Sequence, residues 1–132
     1  MIRKTNLAHR SNYGNKRSTS TIKYIVLHYT ANDGDSDENN GKYFNGANRG
    51  ASAHIFVDDD SCTQSVPDNY VAYSVGGNKY SNTKGGSLYG KATNANTLNI
   101  EMCDTVKNGK YEATAKTQEN AITIVREKTE TV

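Results

Sequence analysis

Apolar residues occupy both faces of the stretch Ile22–Thr30, which reads Ile-Lys-Tyr-Ile-Val-Leu-His-Tyr-Thr. A β-strand points successive side chains to opposite faces, so a strand with apolar residues on both faces is covered on both sides. We therefore expect this strand to be central in its sheet. His28 lies near its carboxyl end, where open α/β sheets bind ligands. His28 is a candidate metal ligand or catalytic base, and a hydrogen-bonded histidine at a strand end is the alternative.

Periodic patterns predict the elements that follow. A short helix follows Asp35. A hairpin comes next, with strands over Ala51–Asp58 and Cys62–Val66. A further strand over Thr97–Cys103 and an amphipathic helix over Thr114–Lys128 complete the domain. Asp35 and Glu38 have the spacing of a capping box at the start of the short helix. Residues 78–96 predict a long loop, and loops of that length are usually functional or mobile.

Composition limits the classes of protein to consider. A chain of 132 residues makes one domain, which we expect over residues 21–132, with residues 1–20 as an N-terminal arm. A net charge of +2 gives no reason to expect a nucleic-acid partner. No apolar window is long enough to span a membrane. The N-terminus lacks the apolar core of a signal peptide, so we expect a non-signal route or release on lysis.

Several further residues could carry chemistry. Glu101 lies in mid-strand between Ile100 and Met102, and a buried carboxylate is costly unless it is paired or functional. It is a candidate general base, and a wet strand face or a pairing with lysine is the alternative. His54 shares a strand face with Ser52 and Phe56, and a packed or substrate-facing histidine is favoured over a metal ligand.

Two other features have simpler interpretations. Asp58, Asp59 and Asp60 lack the ligand spacing of a calcium loop, so they predict a hairpin turn. Cys62 and Cys103 form no Cys-x-x-Cys motif, which favours reduced, partly buried thiols over a single disulfide.

Four stretches resemble, in order and spacing, the zinc-dependent N-acetylmuramoyl-L-alanine amidases of the type-2 amidase and peptidoglycan-recognition-protein superfamily. They are Tyr24–Asn32, Arg49–Asp58, Val66–Gly77 and Asn96–Cys103. The resemblance covers about residues 12–125. Each stretch alone is a weak signal, but four in the same order make a specific one.

The resemblance implies a single α/β domain in which a central mixed β-sheet is flanked by helices and zinc lies in a shallow groove. The implied reaction hydrolyses the amide between N-acetylmuramic acid and L-alanine in bacterial peptidoglycan. By the same match, His28 is the first zinc ligand and Glu101 is the base that activates the zinc-bound water. The residues implied to line the substrate groove are His54, Tyr73, Ser74 and Gly76.

The resemblance also implies two more zinc ligands, a histidine and then a cysteine or aspartate, after the last helix. The sequence ends at Val132, where that segment would begin, so we expect a C-terminally truncated domain. Cys103, on the same strand face as Glu101, is a candidate substitute ligand.

Two alternative functions stay open at this point. One is a non-catalytic peptidoglycan-binding module. The other is a cysteine peptidase that uses Cys62 or Cys103 with a histidine, for which the sequence offers a poor signal. For the amidase we expect a monomer, of phage endolysin or autolysin type, that acts on the cell wall without nucleic-acid or membrane partners.

Overall fold

The computed structural model describes residues 1–75 and 87–131. Within these ranges the regular elements are eight strands and two α-helices: β1 (Ile2–Thr5), β2 (Tyr13–Lys16), β3 (Tyr24–Asp33), α1 (Asp37–Tyr43), β4 (Ile55–Val57), β5 (Ser61–Gln64), β6 (Tyr70–Ala72), β7 (Thr97–Lys107), β8 (Lys110–Glu112) and α2 (Ala115–Thr131). The sheet and its helices confirm a single α/β domain. No helix among the described residues is long and apolar enough to cross a membrane.

The main sheet is mixed, and its strand order is β1-β5-β4-β7-β3, with β8 added to β7. The β4–β5 pair is antiparallel, whereas β4, β7 and β3 run parallel to one another. Strands β2 and β6 form a separate antiparallel pair. Because β4, β7 and β3 are parallel, their carboxyl ends meet at the same edge of the sheet, which brings their terminal side chains together.

Strand β3 lies at the edge of the described sheet, so the prediction of a central strand is wrong. It pairs with β7 on one side only. Its apolar residues are not all buried, since Leu27 and Tyr29 are 44% and 60% exposed. Ile25 instead packs against the core beside α2. The strands with neighbours on both sides are β5, β4 and β7.

The core lies between the sheet and α2. Its buried members share one face of β4 and β7 with one stripe of the helix: Ile55, Val57, Cys62, Ile100, Ala121 and Ile124. The predicted strand over Thr97–Cys103 is confirmed as the first part of β7, and Leu98 and Ile100 have no exposed surface. Burial of this apolar stripe holds α2 across the sheet and so fixes the strands that carry the site.

The N-terminal residues do not form an arm, and that prediction is corrected. Strand β1 pairs in parallel with β5, and β2 pairs with β6. Ala8 is buried against Val66 and Ala72 in a second, smaller core cluster. All four side chains of β1 are exposed, so backbone pairing rather than a hydrophobic pattern holds this edge strand.

The hairpin turn predicted at Asp58–Asp60 is confirmed, and a second hairpin joins β7 to β8. Asp58 N donates to Ser61 O at 3.0 Å and closes the turn between β4 and β5. Between β7 and β8, Asn108 and Gly109 have φ of +54° and +76°. Two successive residues with positive φ match a type I′ turn, for which Asn-Gly is the favoured pair.

Candidate active site

His28 and Glu101 are brought together by the register of two parallel strands. His28 of β3 is paired directly with Glu101 of β7. Nδ1 of His28 lies 4.0 Å from Oε1 of Glu101, and each side chain is 20% exposed. On the other side of the ring, Nε2 lies 2.9 Å from Oδ1 of Asn99. The imidazole is therefore held at Nε2, and Nδ1 faces the carboxylate.

Glu101 carries a buried oxygen without a hydrogen-bond partner. Among the described residues, its Oε2 accepts no hydrogen bond although it is shielded from solvent. Burial is the main cause that raises the pKa of Glu101, opposed by His28 and reinforced by Asp104 and Asp35. An orphaned carboxylate oxygen lowers stability unless a ligand satisfies it. This geometry fits a carboxylate that exchanges protons with a bound molecule.

A groove of about 580 Å³ opens beside this pair, between the end of β3 and helix α1. Its lining includes aromatic rings, amides and carboxylates: Tyr29, Asp35, Asn40, Tyr43, Phe56 and Glu101. The rings of Phe44 and Phe56 stack with centroids 5.4 Å apart and form an apolar floor. Such a mixture suits a ligand with both apolar faces and hydrogen-bonding groups.

Helix α1 forms one wall of the groove, and its start differs from the predicted capping box. Ser36 is the N-cap, and its Oγ accepts from Asn39 N at 3.1 Å. Asp35 instead joins α1 to β7, because its carboxylate accepts from Asn40 Nδ2 at 2.6 Å and from Asp104 N at 3.1 Å. The residue expected to cap the helix therefore anchors the helix to the sheet.

The buried carboxylate of Asp104 shapes the end of β3 at the rim of the groove. It accepts hydrogen bonds from the backbone N–H groups of Ala31 and Asn32 at 3.1 and 3.0 Å. Ala31 has a φ of +56°, and the pairing of β3 with β7 is irregular beyond Tyr29. These bonds compensate the unfavourable backbone conformation of Ala31 and fix where the chain leaves the sheet.

His54 does not line the groove, and this predicted position is corrected. It has no exposed surface. Its Nδ1 accepts from Asn99 N at 3.0 Å, and its Nε2 donates to Tyr70 O at 2.9 Å. Burial, with a smaller contribution from the Arg17 guanidinium, lowers the pKa of His54 to about 4. His54 is therefore a neutral packing residue, hydrogen-bonded to the backbone of Asn99 in β7.

The segment predicted to rim the groove lies apart from Glu101 as far as it is described. Tyr73 is 39% exposed, and Ser74 donates its hydroxyl proton to the carbonyl of Ser52. Neither belongs to the lining of the groove that contains Glu101. Gly76 lies outside the described residues. A substrate contact for Tyr73, Ser74 or Gly76 stays a prediction.

The donors around His28 meet only part of the requirement for catalytic zinc. Such sites use three protein ligands and keep one position open. In residues 1–75 and 87–131, the single group of three or more candidate ligands comprises Asp37, Glu38, Asp58 and Asp60. That group contains neither His28 nor Glu101 and offers only oxygen atoms. The described residues thus contribute one histidine nitrogen and the unpartnered carboxylate oxygen beside it.

Neither cysteine is suited to act as a nucleophile, and neither belongs to the group of candidate metal ligands among the described residues. Both are free and buried. Burial raises the pKa of the Cys62 and Cys103 thiols, and neighbouring acids add to the effect at Cys103. A thiol must ionise to attack or to bind a metal. The structure therefore argues against the cysteine-peptidase alternative and confirms the reduced, buried thiols.

Sequence reasoning missed Asn99, which contacts His28, and the polar side chains that α1 supplies to the groove. For Asn99 there was a signal: it lies two residues before Glu101 and therefore on the same face of β7. For the groove residues of α1 the sequence gives no such signal, because the residue pattern of this helix does not show which element it packs against.

Comparison with known proteins shows what the chain is similar to. The sequence profile of the N-acetylmuramoyl-L-alanine amidase family matches residues 18–131. The N-acetylmuramoyl-L-alanine amidase BlyA of Bacillus subtilis (strain 168) is 42% identical over 87 residues, which is 62% of this chain and 24% of that protein. The amidase CwlL of Bacillus licheniformis is 36% identical over 87 residues, 62% of this chain and 23% of its own length. The chain thus spans about a quarter of these relatives.

Solved structures share the fold. The catalytic domain of XlyA superposes with a TM-score of 0.70 at 22% identity, covering 95% of this chain and 73% of that domain. The PlyG catalytic domain superposes with a TM-score of 0.66 at 30% identity, covering 96% and 69%. These matches confirm the predicted α/β architecture.

Proposed function

The chain belongs to the N-acetylmuramoyl-L-alanine amidase family, and we propose that it forms the groove and general base of a peptidoglycan hydrolase. The bond cleaved is the amide between N-acetylmuramic acid and L-alanine. The observation that carries the proposal is the His28–Glu101 pair, with Nδ1 and Oε1 4.0 Å apart beside a groove of about 580 Å³.

Glu101 is the general base in this proposal. Its carboxylate takes a proton from water as the water oxygen attacks the amide carbonyl carbon, and it then returns that proton to the departing alanine nitrogen. The unpartnered Oε2 and the raised pKa of Glu101 support this role. A carboxyl group with a raised pKa is a stronger base, so it accepts a proton readily and can return it.

We assign the zinc contact to His28. Its Nδ1 is the ring nitrogen directed at Glu101, whereas Nε2 is bonded to Asn99. Zinc, when bound, supplies positive charge that polarises a carbonyl and acidifies water. Because the described residues bring one histidine to this place, the metal assignment rests on His28 alone.

The groove is suited to a glycopeptide. The exposed ring of Tyr43 offers a flat apolar surface for a sugar face, and Asn40 offers an amide for peptide groups. Peptidoglycan is the substrate that combines these features with the proposed scissile amide. The site of action is then the bacterial cell wall, as for an endolysin or autolysin, and the chain acts there as a monomer.

A non-catalytic peptidoglycan-binding module is the second candidate. The observation that favours it is the donor set at the site, which includes one histidine where a catalytic zinc has three protein ligands. Such a module keeps the groove and binds cell walls without hydrolysis.

One assay separates these functions. Purified insoluble peptidoglycan is incubated with the protein, with added zinc or with a chelator, and new alanine α-amino groups and new reducing sugar ends are counted. If the chain is an amidase, we expect alanine α-amino groups to be released only in the presence of zinc, with no new reducing ends. Co-sedimentation with the walls in both conditions, without amine release, would instead identify the binding module. Release of reducing ends would overturn both.

A further inference from the structure

A buried series of hydrogen bonds runs from a backbone carbonyl to the ring of His28. Thr97 and Asn99 have no exposed surface. Oγ1 of Thr97 lies 2.7 Å from the carbonyl oxygen of Thr93. Nδ2 of Asn99 lies 2.9 Å from that Oγ1, and Oδ1 of Asn99 lies 2.9 Å from Nε2 of His28. The series therefore starts at a main-chain acceptor and ends at the imidazole.

The direction of every bond follows from the carbonyl at the start. A carbonyl oxygen only accepts, so the Thr97 hydroxyl donates its single proton to Thr93. Toward Asn99 the same hydroxyl oxygen then only accepts, which turns the amide NH₂ to Thr97 and the amide oxygen to His28. An amide oxygen needs a donor, so Nε2 of His28 carries the ring proton.

We propose that Asn99 is a positioning residue, which holds the proton of His28 on Nε2 and thereby leaves Nδ1 unprotonated and directed at Glu101. A neutral imidazole has one protonated and one free nitrogen, so fixing the first defines the second. A ring nitrogen binds a metal only when it is free, and a hydrogen bond from the opposite N–H is the usual support of a histidine ligand.

The backbone of Asn99 is fixed independently of its side chain. Its N–H donates to Nδ1 of His54 at 3.0 Å, and its carbonyl accepts from His54 N at 3.0 Å. With the main chain held by His54 and the amide held by Thr97, the oxygen has little freedom to leave His28. This rigidity is what a supporting residue must provide.

The inference rests on the proposed role of His28 as a zinc ligand, but the tautomer is a property of the metal-free protein and is measured there. Long-range ¹H–¹⁵N correlation spectra of the metal-free chain report which ring nitrogen of His28 is protonated. Solvent exchange of that proton reports its hydrogen bond. The variants are Asn99→Leu, which removes the acceptor, and Asn99→Asp, which keeps an oxygen acceptor. Asn120→Ala is the matched control, since its buried amide bonds the carbonyls of Asp58 and Asp59.

In the unmodified chain we expect a single His28 tautomer with a slowly exchanging proton on Nε2. Asn99→Leu should speed this exchange by about tenfold and mix the tautomers, whereas Asn99→Asp and Asn120→Ala should preserve both. If Asn99→Leu does not fold, the isosteric Thr97→Val serves, because it frees the amide to rotate and should likewise mix the tautomers. A proton on Nδ1 in the unmodified chain, or unchanged exchange in Asn99→Leu, would overturn the proposal.

Zinc titration of the same proteins gives the second readout. Asn99→Leu should weaken zinc binding by about 10- to 100-fold, the usual effect of losing an outer hydrogen bond to a ligand. Equal zinc affinity in Asn99→Leu and the unmodified chain would contradict the positioning role. If the unmodified chain shows the Nε2 tautomer but binds no zinc, the proposed metal chemistry fails while the hydrogen-bond assignment holds.

Discussion

Nδ1 of His28 and Oε1 of Glu101 lie 4.0 Å apart because the parallel register of β3 and β7 pairs the two residues directly. This separation is longer than a hydrogen bond, so neither group satisfies the other. The Oε2 atom of Glu101 is buried and unpartnered as well. Two side chains that both keep capacity for a ligand, at the edge of a groove, define the site.

The unpartnered carboxylate of Glu101 should lower the stability of the fold. Glu101→Gln should raise the free energy of unfolding or leave it unchanged, because the amide removes a buried charge. Chemical denaturation monitored by circular dichroism measures this effect. Glu119→Gln is the matched control, since Glu119 lies on the exposed face of α2 beside Lys116. A loss of more than about 2 kcal/mol in Glu101→Gln alone would mean that the carboxylate has an essential structural partner.

Asp37 should make the fold less stable as pH rises. Burial, reinforced by its contact with Asp58, raises the pKa of Asp37 to about 7. Between its ordinary value of 3.8 and about 7 the folded state keeps a proton that the unfolded state has lost, so stability falls with increasing pH. Asp37→Asn should remove this loss, on the order of 2 kcal/mol between pH 5 and 8. Urea unfolding at several pH values tests this, and parallel profiles for the two proteins would refute it.

His54 should make the fold more stable as pH rises, opposite to Asp37. Its pKa is lowered to about 4 from 6.5, so between these values the unfolded state binds more protons and stability rises with pH. His54→Gln should make the slope of stability against pH more negative between pH 4 and 6.5, although it lowers stability overall by breaking two buried hydrogen bonds. Asp37→Asn should make that slope more positive over the same range. Slopes that change in the same direction in both variants would show that at least one assignment is wrong.

Two nearby isoleucines on α2 should differ sharply in their contribution to the free energy of unfolding. Ile124 is 1% exposed in the main core, whereas Ile122 is 48% exposed. Ile124→Ala should cost about 2 to 5 kcal/mol of unfolding free energy, and Ile122→Ala about 0.5 kcal/mol or less. Thermal and urea denaturation of the two variants provide the comparison. Equal costs would mean that α2 packs with a different face.

The sequence pattern predicted best where side chains alternate between core and groove. In β7 Ile100 packs in the core and the next residue, Glu101, lines the groove, and the strand predicted over Thr97–Cys103 is confirmed. The position of β3 was predicted wrongly because Leu27 and Tyr29 are apolar yet exposed at a sheet edge. Strand β1 was missed since its side chains are all exposed and its backbone alone makes the pairing.

The sequence named His28 and Glu101 as candidate site residues but did not identify the residues that contact them. Resemblance to a family pointed to His28 and Glu101, and strand register brings them together. The pattern left His54 as either packed or substrate-facing, because a shared strand face does not reveal depth; the structure gives the packed position, with no exposed surface and both ring nitrogens hydrogen-bonded. Asn99 shares a strand face with Glu101, which the sequence shows, but its hydrogen bond to His28 on the neighbouring strand depends on a register that the sequence pattern does not give.

The most direct test of the account compares amine release from purified peptidoglycan by the unmodified chain, Glu101→Gln and Glu119→Gln, each saturated with zinc. We predict that Glu101→Gln loses about 10²- to 10⁴-fold in the rate at which alanine α-amino groups appear. Glu119→Gln should keep the full rate. Amine release by Glu101→Gln at the rate of the unmodified chain would contradict the assignment of Glu101 as the general base.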